Sequence, residues 1–308
     1  MLVCGTHRGL YRLDGPNDDP TRTAECGRVY EVARSGDARL AATDEGPLRS
    51  PDGEDWRRLD GPDDPVSVLA GPETVLVGTG DADVLRARPA TDGWRFDPVG
   101  DLGAHPHGDR WRDRAPSGAP SVRTLAVHPD DGVLAGLEPG GVYAFDGDFW
   151  RRYGEGVHDD VHDLRVLDGG AVVAATGNGL YRTDDGDRWY RLDTDFRDFW
   201  ANYFREAVVH DGRLYAGANR WGPEAPAGVT LSAAADDPAF DAAADSVPAA
   251  DPAFAISWAV VDGALVGGTM RVDADGFAPE ASAPLIRREG DAWTLGTELP
   301  AGVTSLAT

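Results

Sequence analysis

One pattern recurs along the chain and sets the limits on its fold. A strand ending in small residues is followed by a turn and a strand of the Gly-Leu-Tyr-Arg type. A tight Asp-Gly turn then leads to a segment opening at Trp. The fullest copy is GNGLYRTDDGDRWYRL, Gly177–Leu192. Near-copies stand at Arg8–Gly15 (RGLYRLDG), Glu45–Leu59 (EGPLRSPDGEDWRRL), Gly140–Tyr153 (GGVYAFDGDFWRRY) and Ala283–Leu295 (APLIRREGDAWTL). Apolar runs that finish in small residues are Leu2–Gly5, Val75–Gly78, Val133–Gly136, Val172–Ala175, Leu214–Gly217 and Leu265–Gly268. A further strand precedes such runs, as in Val122–Gly132 and Val161–Gly170. Each unit therefore holds four strands. Trp56, Trp94, Trp150 and Trp189 mark successive units. Their spacing is that of a propeller blade, about 40–45 residues, once one long loop is allowed.

Second strands begin near Leu2, Arg39, Thr74, Gly132, Ala171, Arg213 and Ala264, which makes seven units. The first unit lacks its own first strand. GVTSLAT at Gly302–Thr308 has the pattern of SVRTLAV and supplies it. The expected fold is all-β: a seven-bladed β-propeller of four-stranded antiparallel blades, its ring closed by the C-terminal strand pairing in the N-terminal blade. Residues 1–308 form a single propeller domain, with blades at about 302–308 plus 1–28, 29–60, 65–99, 121–153, 160–193, 204–245 and 254–299. Closure removes the exposed edges of the end blades. Cys4 is placed in a second strand and Cys26 in the fourth strand of the same blade. Two strand spacings of about 4.8 Å separate them by about 10 Å, too far for a disulfide, so both are expected as free thiols.

The turns Ser50–Trp56 and Thr183–Trp189, of the form [ST]-x-D-G-x-x-W, resemble the Asp-box of bacterial neuraminidase (BNR) repeats. The resemblance implies that Asp52, Asp146 and Asp185 brace turns between third and fourth strands, with Trp56, Trp150 and Trp189 packed beneath. Asp-to-Trp is one residue shorter than in the usual box. The repeat grammar also resembles propellers of the sortilin and photosystem-assembly-factor group, and similar propellers in haloarchaea. What this likeness implies is a scaffold, because the box is a brace and not a catalyst.

The chain carries 53 acidic and 29 basic residues, for a net charge of −24, and all 29 are Arg. Such a surface disfavours nucleic-acid backbones and anionic membranes as partners. It resembles the acidic cytoplasmic proteins of halophiles, whose carboxylate surface stays hydrated in strong salt. No basic stretch leads into an apolar run, and no window of about 18 apolar residues occurs. A soluble, cytoplasmic, halophilic protein is the expectation.

In a four-stranded blade, the first-to-second and third-to-fourth turns share one face, and here they are short except for the Ala/Asp-rich stretch around Ala233–Ala253, read as a loose outer edge. The second-to-third turns and the blade-to-blade links share the other. They include the irregular segments Gly100–Pro120, Gly154–Asp160, Asp193–Phe204, Ala218–Gly228 and Thr269–Ala283. Long loops on a rigid scaffold are where binding residues concentrate. Arg8, Arg110, Arg112, Arg220 and Arg271, with Trp111, Trp200, Tyr203 and Trp221, are the candidate ligand-binding residues. Arg beside aromatic rings suits a planar anion, and pairing of these Arg with nearby Asp is the structural alternative. His105, His107, His158 and His162 have ligand-like spacing. No organic cofactor is expected, and a divalent metal is the one inorganic candidate. No catalytic residue is assigned. The leading functional reading is a non-enzymatic scaffold or assembly factor that binds a protein partner or a small anionic ligand on this face. The alternative is a glycosidase-like or other hydrolase acting there on an anionic or carbohydrate substrate. In that casting Arg8, Arg220 and Arg271 hold a carboxylate, and Tyr203 pairs with Glu206.

Overall fold

The computed structural model describes the chain except residues 71–74, 92, 104, 106–110, 112–114, 116–119, 194–200, 221–227, 237–243, 247–252 and 274–275. It is a seven-bladed β-propeller of four-stranded antiparallel blades, the seventh carrying one extra short strand, and in every blade but the first the strands follow sequence order from the axis outward. The innermost strands are Val303–Ala307, Val29–Ser35, Pro65–Ala70, Ser121–His128, Val161–Val166, Ala201–His210 and Ala253–Val261. The first of these pairs with Leu2–Thr6 in the register Val3↔Ala307, Cys4↔Leu306, Gly5↔Ser305, so the C-terminal strand closes the ring as the repeat predicts. Cys4 and Cys26 are both free and buried. The fourth strand of that blade is Thr21–Ala24, so Cys26 lies just beyond it rather than within it.

Second strands lie next to the innermost ones and are wholly buried in Leu2–Thr6, Val75–Thr79 and Val172–Thr176. Their small residues meet the start of the next blade. A Cβ on Gly5 would lie 2.7 Å from Val29 Cγ1, and one on Gly136 would lie 2.6 Å from Val161 Cγ1. Gly217 and Gly268 meet Ala255 and Val303 of the following blades in the same way, at 2.2 and 2.3 Å.

A second device links the blades. Innermost strands of neighbouring blades do not pair as a ladder, so their facing backbone groups need other partners. One side chain per blade meets the need. Ser305 accepts from Val32 N–H, Glu31 from Val68 N–H, Thr124 from Leu164 N–H and Asp163 from Ala207 N–H. Glu206 accepts from Trp258 N–H and Ser257 from Leu306 N–H, while the Ser67 hydroxyl donates to Val122 C=O. The seven bonds make a closed ring around the axis. Each bracing residue lies at or beside a β-bulge, where the register of the innermost strand slips.

The outer edges are stitched by Trp. Asp52 Oδ1 accepts from Glu54 and Asp55 N–H, Asp146 Oδ1 from Asp148 and Phe149 N–H, and Asp185 Oδ1 from Asp187 and Arg188 N–H. Each turn then delivers a Trp whose indole N–H reaches the preceding blade. Trp56 bonds Thr23 Oγ1 (3.2 Å), Trp150 bonds Val99 C=O (2.8 Å) and Trp189 bonds Tyr153 C=O (2.8 Å). Gly154 has φ +75°, and a Cβ there would stand 2.7 Å from the Trp189 indole nitrogen, so only glycine fits. Replacing Trp189 by Phe keeps the ring and orphans the Tyr153 carbonyl. We expect a loss of about 1–2 kcal/mol by denaturant titration, and an unchanged midpoint would show that the stitch contributes nothing.

The long segments of the other face are partly strand. Residues 201–204 belong to an innermost strand, and Gly276–Ala278 folds back on Ala264–Asp273 as an added hairpin. The Ala/Asp-rich stretch near 233–253 lies mostly outside the described residues.

Candidate functional site: the axial channel mouth

Because the innermost strands bulge at one level, they turn one residue each toward the axis. These residues are Tyr30, Val66, Arg123, His162, Arg205, Ile256 and Thr304, and all seven line a central cavity of about 300 Å³. Glu31, Asp163, Arg165 and Glu206 line it further along the strands, away from the long-loop face. Arg28 joins at the entrance, just before the strand Val29–Ser35.

The cavity is polarised along its axis. Toward the long-loop face stand three guanidiniums, Arg28, Arg123 and Arg205. Arg123 is pushed down to about 10, first by burial and then by Arg205, with Arg28 acting in the same sense. Burial and Arg205 also lower Arg28. The three are thus close enough to repel. Arg123 pairs with Glu138 at 2.9 Å. Arg205 donates to the Tyr203 hydroxyl at 3.2 Å. Arg28 sits over the Tyr30 ring, 4.6 Å from its centroid, and its Nε has no hydrogen-bond partner. Asp44 fixes this corner, accepting from Tyr30 Oη and from Arg28 N–H. His7 closes the rim, and burial followed by Arg28 lowers it to about 4.

Deeper in, acid prevails. Arg165 lies between Glu206 (3.4 Å) and Asp163 (3.8 Å). Burial first, then Asp163, raises Glu206 to about 7, and burial raises Glu31 to about 8. One guanidinium does not neutralise three carboxyls in a confined channel.

His162 stands between the layers. Its Nδ1 is 2.5 Å from Phe204 C=O, its Nε2 is 3.0 Å from Asp160 Oδ1, and its ring lies 4.8 Å from that of Tyr203. Burial, followed by Arg205, lowers its pKa.

Of the residues expected from sequence, Tyr203 and His162 reach this mouth. Arg8 pairs with Glu280 at 2.6 Å, half exposed. Arg271 pairs with Glu298 at 3.1 Å and also bonds Ser282 C=O. Trp111 is buried in a core cluster, stacked on His105 and edge-on to Tyr143. His158 Nδ1 accepts from Asp160 N–H. Arg220 ends a second strand opposite Ala201. Arg110, Arg112, His107, Trp200 and Trp221 lie outside the described residues. The cast of Arg8, Arg220 and Arg271 with a Tyr203–Glu206 pair does not assemble: Arg8 and Arg271 hold separate glutamates, Tyr203 is bonded to Arg205, and Glu206 to Arg165 and Trp258. Arg28, Arg123, Arg205 and Glu138 were missed because they sit in or beside strands, not in loops. The available signal was a charged residue beside a bracing position in otherwise apolar strands, as in VRTL and FREA.

No family model and no curated protein matches the chain. Solved structures do. YCF48 from Cyanidioschyzon merolae superposes with a TM-score of 0.55 at 14% identity, over 98% of this chain and 89% of that one. A YCF48 bound to D1 peptide gives 0.50 at 15%, over 76% and 74%. An ancestral GH74 enzyme gives 0.55 at 14%, over 86% of this chain but 38% of its own, so this chain spans well under half of that enzyme. At these identities the likeness is one of fold.

Proposed function

We propose that this protein is a non-enzymatic binding propeller that holds an anionic group of a protein partner, a carboxylate in the first instance, at the mouth of its channel on the long-loop face. One observation carries the reading: Arg28, Arg123 and Arg205 converge at that mouth, close enough for Arg205 to lower both of the others, with Asp44, Glu138 and Asp160 beside them. A guanidinium held by a packed ring presents a rigid fork to an anion. On a chain of net charge −24, three guanidiniums gathered at one mouth give an anion a set of donors to bind by direct contact. A YCF48 of the same fold is described as bound to a D1 peptide, which supports a protein partner for a propeller of this type.

The hydrolase reading draws on a different observation. Glu31, Asp163 and Glu206 line the same cavity, and a carboxyl near 7 suits a general acid. All three, however, also hold the backbone of the next blade, which restrains the movement of a proton donor.

Titration with citrate as a carboxylate probe tests the binding reading. We expect one-to-one binding, weakened at least tenfold in Arg123→Met and Arg205→Met and unchanged in Arg8→Met. Equal binding by all four proteins would defeat the proposal. Turnover of a glycoside that is lost in Glu206→Gln would replace it with the hydrolase reading.

A further inference from the structure

We infer that Glu138, Asp160 and His162 form a site for a divalent first-row transition ion of the zinc or manganese class, at the edge of the channel mouth between the fourth and fifth blades. Glu138 ends the second strand Gly132–Glu138, Asp160 closes the link into the fifth blade, and His162 occupies the bulge of Val161–Val166. One ligand atom from each lies within 4.8 Å of the other two.

The lone pairs point to an ion. The His162 side chain is only 1% exposed. Phe204 C=O can only accept, so the Nδ1 that faces it at 2.5 Å carries a proton. In the neutral ring, Nε2 then presents a lone pair. That atom makes no hydrogen bond, and neither does Asp160 Oδ1, although the two are 3.0 Å apart. The separation suits a hydrogen bond but the direction does not, so two buried polar atoms face one another without a well-aligned proton between them. A shared cation resolves this. Two ligand atoms each about 2.1 Å from one ion, at angles between square and tetrahedral, are about 3.0–3.4 Å apart. An N–H donated to a backbone carbonyl is the arrangement that orients a metal-bound imidazole.

The surroundings hold the ligands in place. A Cβ on Gly177 would come 2.1 Å from Asp160 Oδ2, so the carboxylate occupies the space a side chain there would need. Gly177 N–H also bonds the Asp160 carbonyl, and Gly140 and Gly141 N–H bond that of Asp159, tying the loops that carry Glu138 and Asp160 to each other. Arg123 Nε engages Glu138 Oε2 at 2.9 Å and so fixes the carboxylate beside the other two ligands. One imidazole with two carboxylates favours zinc or manganese over magnesium or calcium, which take all-oxygen sets. This inference is independent of anion binding by the arginines.

Calorimetric titration of the tag-free, chelator-treated protein with Zn²⁺, in excess Mg²⁺ to occupy the acidic surface, provides the test. We expect one saturable equivalent, weakened at least tenfold in His162→Gln and in Asp160→Asn, each checked for an intact thermal transition. Co²⁺ should bind with an absorption spectrum that His162→Gln abolishes. Glu138→Gln, more exposed and so less apt to disturb folding, should weaken binding as well. No saturable equivalent in the wild-type protein, or equal affinity in all the variants, would overturn the site. Failure of the citrate experiment would leave this result unaffected.

Discussion

A chain ending at Gly302 will lose its cooperative fold. Val303–Ala307 is the innermost strand of the first blade, and its removal strips Leu2–Thr6 of its axial partner. Val303, Leu306 and Ala307 are buried, and Val303 fills the space beside Gly268, where a Cβ would lie 2.3 Å from Val303 Cγ1. Burying a Val or Leu side chain is worth about 1.5–3 kcal/mol, and each ladder bond about 0.5–1.5. The brace ring breaks at two points as well, because Ser305 accepts from Val32 and Leu306 donates to Ser257. The summed loss exceeds about 5 kcal/mol, comparable to the whole stability of many domains. Calorimetry should show a melting temperature lowered by at least about 10 °C, or no transition. A truncated protein that melts with the wild type would mean that the ring is not held at this seam.

The repeat makes that seam legible in sequence, because blade architecture is written in backbone requirements that recur. The Gly or Ala at the end of each second strand has to admit the next blade, and the Asp-Gly turns have to deliver a Trp to the previous one. GVTSLAT is recognisable as a strand only because six others share its pattern. The channel mouth is written differently. Arg123, His162 and Arg205 occupy bulges, where the twofold alternation of a strand slips by one residue. Alternation rules place them with no knowledge of that slip, and a charged residue in a strand then reads as solvent-facing. The loop arginines were easier to notice and have ordinary partners: Arg8 has Glu280, and Arg271 has Glu298. Ion pairing of this kind is local to the folded surface and leaves no spacing signal. His162 stands out in sequence for its neighbours in HDDVH, yet Glu138, the third member of the group, comes from another blade and only the folded ring brings it there.

Glu31→Gln should make the protein more stable at alkaline pH and change it little in acid. Glu31 is held up to about 8, chiefly by burial, with Asp163 and Glu206 adding to the effect. A carboxyl whose pKa is raised on folding binds its proton more tightly in the folded state. Its contribution to stability is complete below the ordinary carboxylate range, near 4.5, and is lost as pH rises to about 8. Glutamine imitates the protonated form, and its amide oxygen can still accept from Val68 N–H, 2.8 Å from the present carboxyl oxygen. Wild type and variant should therefore be close below about pH 4.5, separate as pH rises, and differ by a constant full gap above about pH 8. Because Glu31 is only partly buried, which offsets part of the penalty, the gap is set at about 2 kcal/mol, or about 4–8 °C in melting temperature. Glu206→Gln should behave alike with its break near 7, but with a smaller gain, since the variant also gives up the Arg165 contact at 3.4 Å. The general repulsion of a chain of net charge −24 changes with pH in both proteins equally, so the measured quantity is the difference between them. A difference that stays constant from pH 5 to 9 would mean that Glu31 is ionised throughout without penalty, and the acidic layer of the channel would then have to be hydrated like open surface.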